Sequence, residues 1–219
     1  MRLFSHSWKI LSALSIAALL SGCLGSDDPA PTTLGGTAAT GAPIVAGTVN
    51  VKCAGGTALS DVTDTNGVWQ VTISGQTLPC AVEVSGGNLP AGQAFHSVAL
   101  QLGTVNITPL TDLVVANLAG QAPATWFSGL NAGAIQQLNT AAFNTALGNL
   151  RTALNLTALN SVDPMTVSFT AAAGNSMDNM LEALGTAFAD YQALLQEAFN
   201  RTNFSSYAAQ FQAAFSNAY

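Results

Sequence analysis

The hydrophobic period of this chain changes once, near Ile107, dividing it into a strand-forming part and a helix-forming part. Val49, Val51 and Cys53 alternate with Thr48, Asn50 and Lys52. Trp69, Val71 and Ile73 alternate with Gln70, Thr72 and Ser74, and Cys80, Val82 and Val84 with Ala81, Glu83 and Ser85. A period of two belongs to strands buried on one face. Asp64-Thr65-Asn66-Gly67 lies between strand signals, and its Asn-Gly pair tolerates positive φ. Gly86-Gly87-Asn88 and Pro90-Ala91-Gly92 mark later turns, and Val98, Leu100, Leu102, Val105 and Ile107 predict one or two closing strands. The expected unit is a small antiparallel β-sandwich over 44–108.

Beyond Ile107 apolar residues recur every three or four positions, which places each set on one face of a helix. Thr108 is the expected N-cap and Pro109 the first helical residue, with Gly120 following Leu110, Leu113, Val114 and Leu118. A second pattern, over 131–155, runs through Ile135, Leu138, Phe143, Leu147, Leu150 and Leu154. A third, over 176–200, starts near Asn175 or Ser176 and includes Met177, Met180, Leu181, Leu184, Phe188, Tyr191, Leu195 and Phe199. Asp178 or Glu182 suits the positive end of its dipole. A last set, Tyr207, Phe211, Phe215 and Tyr219, steps by four. The expected class is α+β, with an α-helical bundle over 109–219.

The N-terminus sets the expected compartment. Arg2 and Lys9 precede an uncharged run from Ile10 to Leu20, closed by Ser21 and Gly22. That is the pattern of a cleaved signal peptide over 1–22; the run is too short for a spanning helix, which needs about 20 residues. Leu20-Ser21-Gly22-Cys23 resembles the lipobox of bacterial lipoproteins, in which the cysteine receives a diacylglycerol and becomes the first mature residue. The resemblance implies lipidation of Cys23, and two acyl chains anchor a protein stably. Leu24 follows; an Asp there would favour inner-membrane retention in the lipoprotein pattern, so the implied place is the outer membrane, facing periplasm or exterior. Residues 23–43 are rich in Gly, Thr, Ala and Pro and read as the lipidated Cys and a flexible tether.

Charge removes several functions. Without Arg2 and Lys9, only Lys52, Arg151 and Arg201 stand against eleven carboxylates, a net charge of about −8. Nucleic-acid binding requires a basic surface, and this chain has none; an electrostatic grip on anionic lipid fails for the same reason. Charged residues make up 7% of the chain, so Asn, Gln, Thr, Ser and Gly carry most of the polar surface. Of three cysteines, Cys53 and Cys80 remain as an even pair in an oxidising compartment, which predicts a disulfide. Both lie on the apolar faces of their strands, and closing about 27 residues contributes roughly 3–4 kcal/mol in the chain-entropy account.

Gly47-Thr-Val-Asn-Val followed by Thr63-Asp64-Thr65-Asn66-Gly67-Val68-Trp69-Gln70-Val71 resembles the carboxypeptidase regulatory-like (transthyretin-like) β-sandwich. That family is mostly a non-catalytic appendage, so the resemblance implies shape more than activity. The segment 106–116, Asp163-Pro164-Met165 and the run from Gly174 to Leu184 resemble stretches of uncharacterised exported lipoproteins of Gram-negative bacteria, where such a sandwich precedes a helical region.

Chemistry-bearing residues are few. His96 is the one histidine outside the signal and shares a strand face with Val98 and Leu100, which predicts a partly buried strand-end histidine. One histidine and a bridged cysteine pair leave no ligand set for zinc, so no metal and no cofactor are expected. Gly174-Asn175-Ser176-Met177-Asp178 lacks the final glycine and preceding strand of a nucleophile elbow, and Ser176 reads as a helix cap. Asp61, Asp64 and Asn66 cluster beside Gly67 but lack a calcium-loop pattern, so a turn is expected. Glu83, Asp112, Asp163 and Glu182 are the carboxylates available for glycoside hydrolysis, and no spacing singles out a pair. Phe199, Phe204, Tyr207, Phe211, Phe215 and Tyr219 read as helix core more readily than as an exposed ligand stripe. The sequons at Asn106, Asn155, Asn200 and Asn203 are chance matches in a bacterial lipoprotein.

The sequence thus favours a lipid-anchored envelope protein, a non-enzymatic binding or structural module with no catalytic residue assigned. The membrane is its expected partner through the N-terminal lipid, with an envelope protein or polymer as a further, unidentified one. The alternatives are an assembly or secretion accessory that grips a partner through its helical half, and a carboxylate-dependent hydrolase of envelope glycans.

Overall fold

Backbone positions that alternate in and out become two sheets stacked face to face, with helices laid over one of them. The computed structural model describes residues 32–153, 162–187 and 190–200, together with 209 and 213. Among these are seven strands: β1 (Thr33–Thr37), β2 (Thr48–Gly55), β3 (Leu59–Val62), β4 (Val68–Thr72), β5 (Thr77–Ser85), β6 (Ala94–Ala99) and β7 (Gly103–Thr104). The helices are α1 (Pro109–Ala119), α2 (Pro123–Gly129), α3 (Ala132–Gln136), α4 (Thr140–Ala153), α5 (Ser176–Ala187) and α6 (Tyr191–Asn200). The class is mixed α+β. The signal region, Cys23, residues 24–31, the helix expected over 207–219 apart from 209 and 213, and the sequons at Asn155 and Asn203 lie outside the described residues.

One sheet has the order β3-β2-β5-β6, the other β4-β1-β7. All pairings are antiparallel except β1 with β7, which is parallel, a departure from the wholly antiparallel expectation. The tether ends earlier than expected: Thr33–Thr37 is the central strand of the smaller sheet, and Leu34, Ala38, Ala39 and Ile44 are buried. Its Gly and Thr content hid it, because only Leu34 offers a large apolar side chain to the interior. The turn at Asp64–Gly67 forms as expected. Asp64 Oδ1 accepts from the N–H of Asn66 and of Val68, each at 2.8 Å. Gly67 has φ +75°, and a Cβ there would stand 2.4 Å from the Ala38 carbonyl oxygen, so glycine is required. This turn passes the chain from one sheet to the other, since β3 and β4 belong to different sheets.

The interior between the sheets holds Leu34, Val49, Val51, Cys53, Trp69, Val71, Cys80, Val82, Val84 and Phe95, the side chains that strand alternation selects. Cys53 and Cys80 are directly opposed on β2 and β5 and form a disulfide. The bridge therefore joins neighbouring strands of one sheet and fixes their register.

The other face of the four-stranded sheet is covered by helices. The described residues form one compact unit, so the expected separation of sandwich and helical domain at 108/109 is replaced by layers sharing a sheet. Helix α1 packs on β6, α4 and α6, and α3 packs on β2 and β5. Residues Pro109–Asn117 of α1 are all buried, the pattern of a helix surrounded by protein. Its ends are those the sequence predicts. Thr108 caps it by accepting from Thr111 N–H, Pro109 is at the first position, and Gly120 closes it in the left-handed region at φ 62°.

The two long helices expected over 131–155 and 176–200 are each interrupted. α3 ends at Gln136 and α4 begins at Thr140, where Asn139 Oδ1 accepts from Ala142 N–H. α5 ends at Ala187 and α6 begins at Tyr191, where Asp190 Oδ1 accepts from Ala193 N–H. A short polar side chain that caps a new helix competes with continuing the old one. Helix α2, which buries Phe127, was not legible because seven residues hold too few turns to show a period. Asn175, not Ser176, caps α5: its Oδ1 accepts from Met177 N–H at 3.0 Å and Asp178 N–H at 3.4 Å.

Candidate functional site

A polar row crosses the helix-covered face of the larger sheet. Ser60, Asn50, Glu83 and His96 are register partners in β3, β2, β5 and β6. Such partners lie on one face with Cβ atoms about 5 Å apart. The row continues from His96 onto Asp112 of α1 and Tyr191 of α6.

His96 is the third residue of β6, not a strand end, and is 1% exposed. β6 is an edge strand, and the outward backbone groups of His96 are satisfied by α1. Its N–H donates to Asp112 Oδ1 at 3.0 Å, and its carbonyl accepts from the Thr111 hydroxyl at 2.8 Å. Both backbone groups thus point away from β5. Glu83 and His96 are therefore a non-hydrogen-bonded pair, the arrangement in which opposed side chains come closest. Nε2 lies 3.2 Å from Glu83 Oε2, and Nδ1 lies 2.7 Å from Asp112 Oδ1. The Tyr191 hydroxyl donates to Asp112 Oδ2 at 2.7 Å. Lys52 stands nearby on β2, donating to the Phe127 carbonyl at 2.8 Å, with its ammonium 4.4 Å from the Phe127 ring centre.

Two carboxylates on one imidazole favour its protonated form. Burial alone would depress the His96 pKa, but hydrogen bonds and charge from Asp112 and Glu83 outweigh burial and raise it to about 9. The hydrogen bond from His96 lowers Glu83, against the opposing effect of burial. Asp112 is raised because it is completely buried, an effect that His96 and Tyr191 only offset. Burial first, then the Asp112 charge, lifts Tyr191 well above its ordinary value. His96 and Asp112 together therefore hold a proton to higher pH than imidazole does in water.

Chemically, this arrangement is a clamp. A general base needs a free lone pair at its operating pH, and both nitrogens of His96 are committed to carboxylates. Of the four carboxylates considered for hydrolysis, Glu83 and Asp112 meet through His96, whereas the others are elsewhere. Asp163 Oδ1 accepts from Met165 N–H in the loop before α5, and Glu182 is exposed on α5. Asp61 Oδ2 accepts from Gln70 N–H, which ties β3 to β4. Asn106 is fully buried, accepting from Thr37 N–H and donating to the Pro164 and Val167 carbonyls. Among the described residues, no group of three or more His, Cys, Asp or Glu is arranged to hold a metal ion.

Sequence reasoning missed the clamp because its contacting pairs are 13 to 79 residues apart. The available signal was Asp112, an acid on the helix capped by Thr108, combined with the histidine on β6. Beside Tyr191 a cavity of about 310 Å³ opens between the sheet and α5. No protein-family model, curated protein or solved structure matches this chain. No helix among the described residues is long and apolar enough to cross a membrane.

Proposed function

We propose that this chain is a lipid-anchored protein of the bacterial cell envelope whose folded unit is a non-enzymatic module, one that holds a ligand or partner instead of transforming it. In this reading residues 1–22 are a cleaved signal, and Cys23 carries the lipid. A short tether leads to a β-sandwich of the carboxypeptidase regulatory-like kind with helices laid over it. Leu24 after the acylated cysteine directs the protein to the outer membrane. The observation that carries the non-enzymatic part is the state of His96: gripped at both nitrogens and buried, it is an imidazolium built into the fold. Burying charges this way costs several kcal/mol unless they are paired, and here pairing joins β5, β6, α1 and α6. The strand Thr33–Thr37, which begins ten residues after Cys23, accords with a module displayed close to its anchor.

Metabolic labelling with radioactive palmitate tests the anchor. Label on the wild-type polypeptide, absent from a Cys23→Ser chain, is the expected result; equal labelling of neither ends the lipoprotein reading. Crosslinking in the native envelope followed by purification tests the holding role, with one recurrent protein or polymer expected. For the hydrolase alternative, hydrolysis of envelope glycan by purified wild type that an Asp112→Asn chain loses would replace the module reading.

A further inference from the structure

The cavity beside Tyr191 sits where the two layers meet. Its walls come from the 40–43 segment, the β5–β6 loop, β6 and the start of α1, with α5 and Tyr191 on the helical side. Tyr191 packs against both apolar clusters of the molecule, so the cavity lies on their seam. Ligand sites concentrate at such junctions.

Three features argue that the space is kept open and shaped. The first is rigidity of the walls. Asn88 ties two of them together, its Oδ1 accepting from Val45 N–H at 2.9 Å and its Nδ2 donating to the Pro43 carbonyl at 3.0 Å. Tyr191 is held by its hydroxyl on Asp112, which leaves its ring to the cavity, edge-to-face with Phe95 at 5.7 Å and 63°. The second is Gly185. Glycine inside a helix costs about 1 kcal/mol relative to alanine. A Cβ at Gly185 would meet nothing within 4 Å, so no close contact demands glycine there. Its consequence is an unfilled wall. The third is charge: among the described residues, no Lys, Arg, Asp, Glu or His lines the cavity.

We propose that this cavity is a binding site for a neutral, two-ring aromatic molecule, seated against Phe95 and Tyr191 and entering past Gly185. Size sets the ring count, since an apolar cavity of roughly 150 Å³ admits benzene and this one measures about 310 Å³. The uncharged lining sets the neutrality, because a charged group would lose its hydration with no partner in return. Pro43, Pro90 and Pro109 add flat, rigid apolar surface that needs no ordering on binding. This site deepens the holding role proposed above and is independent of the lipid anchor.

The probe is 2-naphthol, titrated by calorimetry into purified, detergent-free protein, with 2-naphthoate as its charged counterpart. Saturable one-site binding of 2-naphthol tighter than about 1 mM is expected. Binding of 2-naphthoate should be at least about tenfold weaker, a difference of about 1.4 kcal/mol. Gly185→Ala should keep the affinity within about threefold. Gly185→Phe, which grows into the opening, should lower it at least about tenfold. Proton nuclear Overhauser contacts from naphthol to the rings of Phe95 and Tyr191 in the wild-type chain give a reading that needs no variant. Absence of saturable binding, or binding without those contacts, overturns the site. Either outcome leaves the palmitate result, and hence the anchor, unaffected.

Discussion

The two faces of the four-stranded sheet are both buried, yet they are held by different forces. Toward the smaller sheet it presents Val49, Val51, Cys80, Val82, Val84 and Phe95, an apolar surface crossed by one disulfide. Toward the helices it presents Asn50, Lys52, Glu83 and His96, side chains that would suit water if α1 to α3 did not cover them. Apolar burial stabilises in proportion to area and is indifferent to small sliding. The polar face is not indifferent. Asp112 reaches the N–H and Nδ1 of His96 with one oxygen and Tyr191 with the other in only one placement of α1. The first face therefore supplies stability, and the second selects how the helical layer docks.

Breaking the clamp on one side should produce the largest effect. Asp112→Ala leaves His96 buried against Glu83 alone, takes the acceptor from the His96 N–H and leaves the Tyr191 hydroxyl only the Pro109 carbonyl, with an expected loss of about 3–5 kcal/mol in urea unfolding. His96→Leu with Asp112→Leu replaces the two fully buried charges by apolar groups, leaves only the partly exposed Glu83, and should recover most of that loss. If the double variant is as unstable as the single one, shape and not charge pairing governs the polar face. On the apolar face the comparable change is Cys53→Ala with Cys80→Ala, expected to cost roughly 3–4 kcal/mol through the freed loop. That loss should be the same at pH 6 and pH 9, because the described residues packed between the sheets carry no titratable group apart from the bridged cysteines.

The polar face, in contrast, should respond to pH. The folded His96 pKa of about 9 lies above its ordinary 6.5, so its contribution is complete below 6.5 and disappears as pH rises through 9. Asp112, also raised, acts in the same direction. Glu83 is lowered, so its contribution is present above its ordinary 4.5 and lost as pH falls. The Glu83 and His96 contributions are therefore both complete between about pH 4.5 and 6.5, and the His96 contribution falls by up to roughly 3 kcal/mol toward pH 9, on top of a decline from Asp112 that starts above its ordinary 3.8. Urea midpoints measured across that range check this, and the decline should be absent from the His96→Leu/Asp112→Leu chain. A flat wild-type profile would mean that His96 is not the charged centre of the clamp.

The same contrast explains what was legible in the sequence. Alternation at 49–53, 69–73 and 80–84 shows the apolar face directly, and the cap at Thr108 with Gly120 bounds α1 to the residue. The polar face carries the signature of a solvated surface, since Asn50, Lys52 and Glu83 alternate outward as exposed residues do. Only the tertiary layer over them makes them interior, and no local pattern encodes that layer. β1 was hidden for another reason: its glycines permit close approach, with a Cβ at Gly36 falling 2.2 Å from the Val105 carbonyl oxygen, and so mimic a linker. The cavity likewise depends on where α5 meets the β5–β6 loop, which no spacing reveals.

The smallest expected effect has the opposite sign and sits beside the clamp, at the residue after His96. Ser97 follows His96 on β6 and points to the apolar interior, fully buried, where its hydroxyl finds no hydrogen-bond partner among the described residues. A buried unsatisfied polar group costs about 1–3 kcal/mol, and serine and alanine differ little in volume. Ser97→Ala should therefore stabilise the fold by roughly 1 kcal/mol, read as a higher urea midpoint with an unchanged slope. Adjacent residues of one strand then stand opposed: His96 is costly to leave half-paired, whereas the Ser97 hydroxyl, with no partner among the described residues, is beneficial to lose. A destabilised Ser97→Ala chain would show that the apolar face also uses polar pairing, and the division between the two faces would fail.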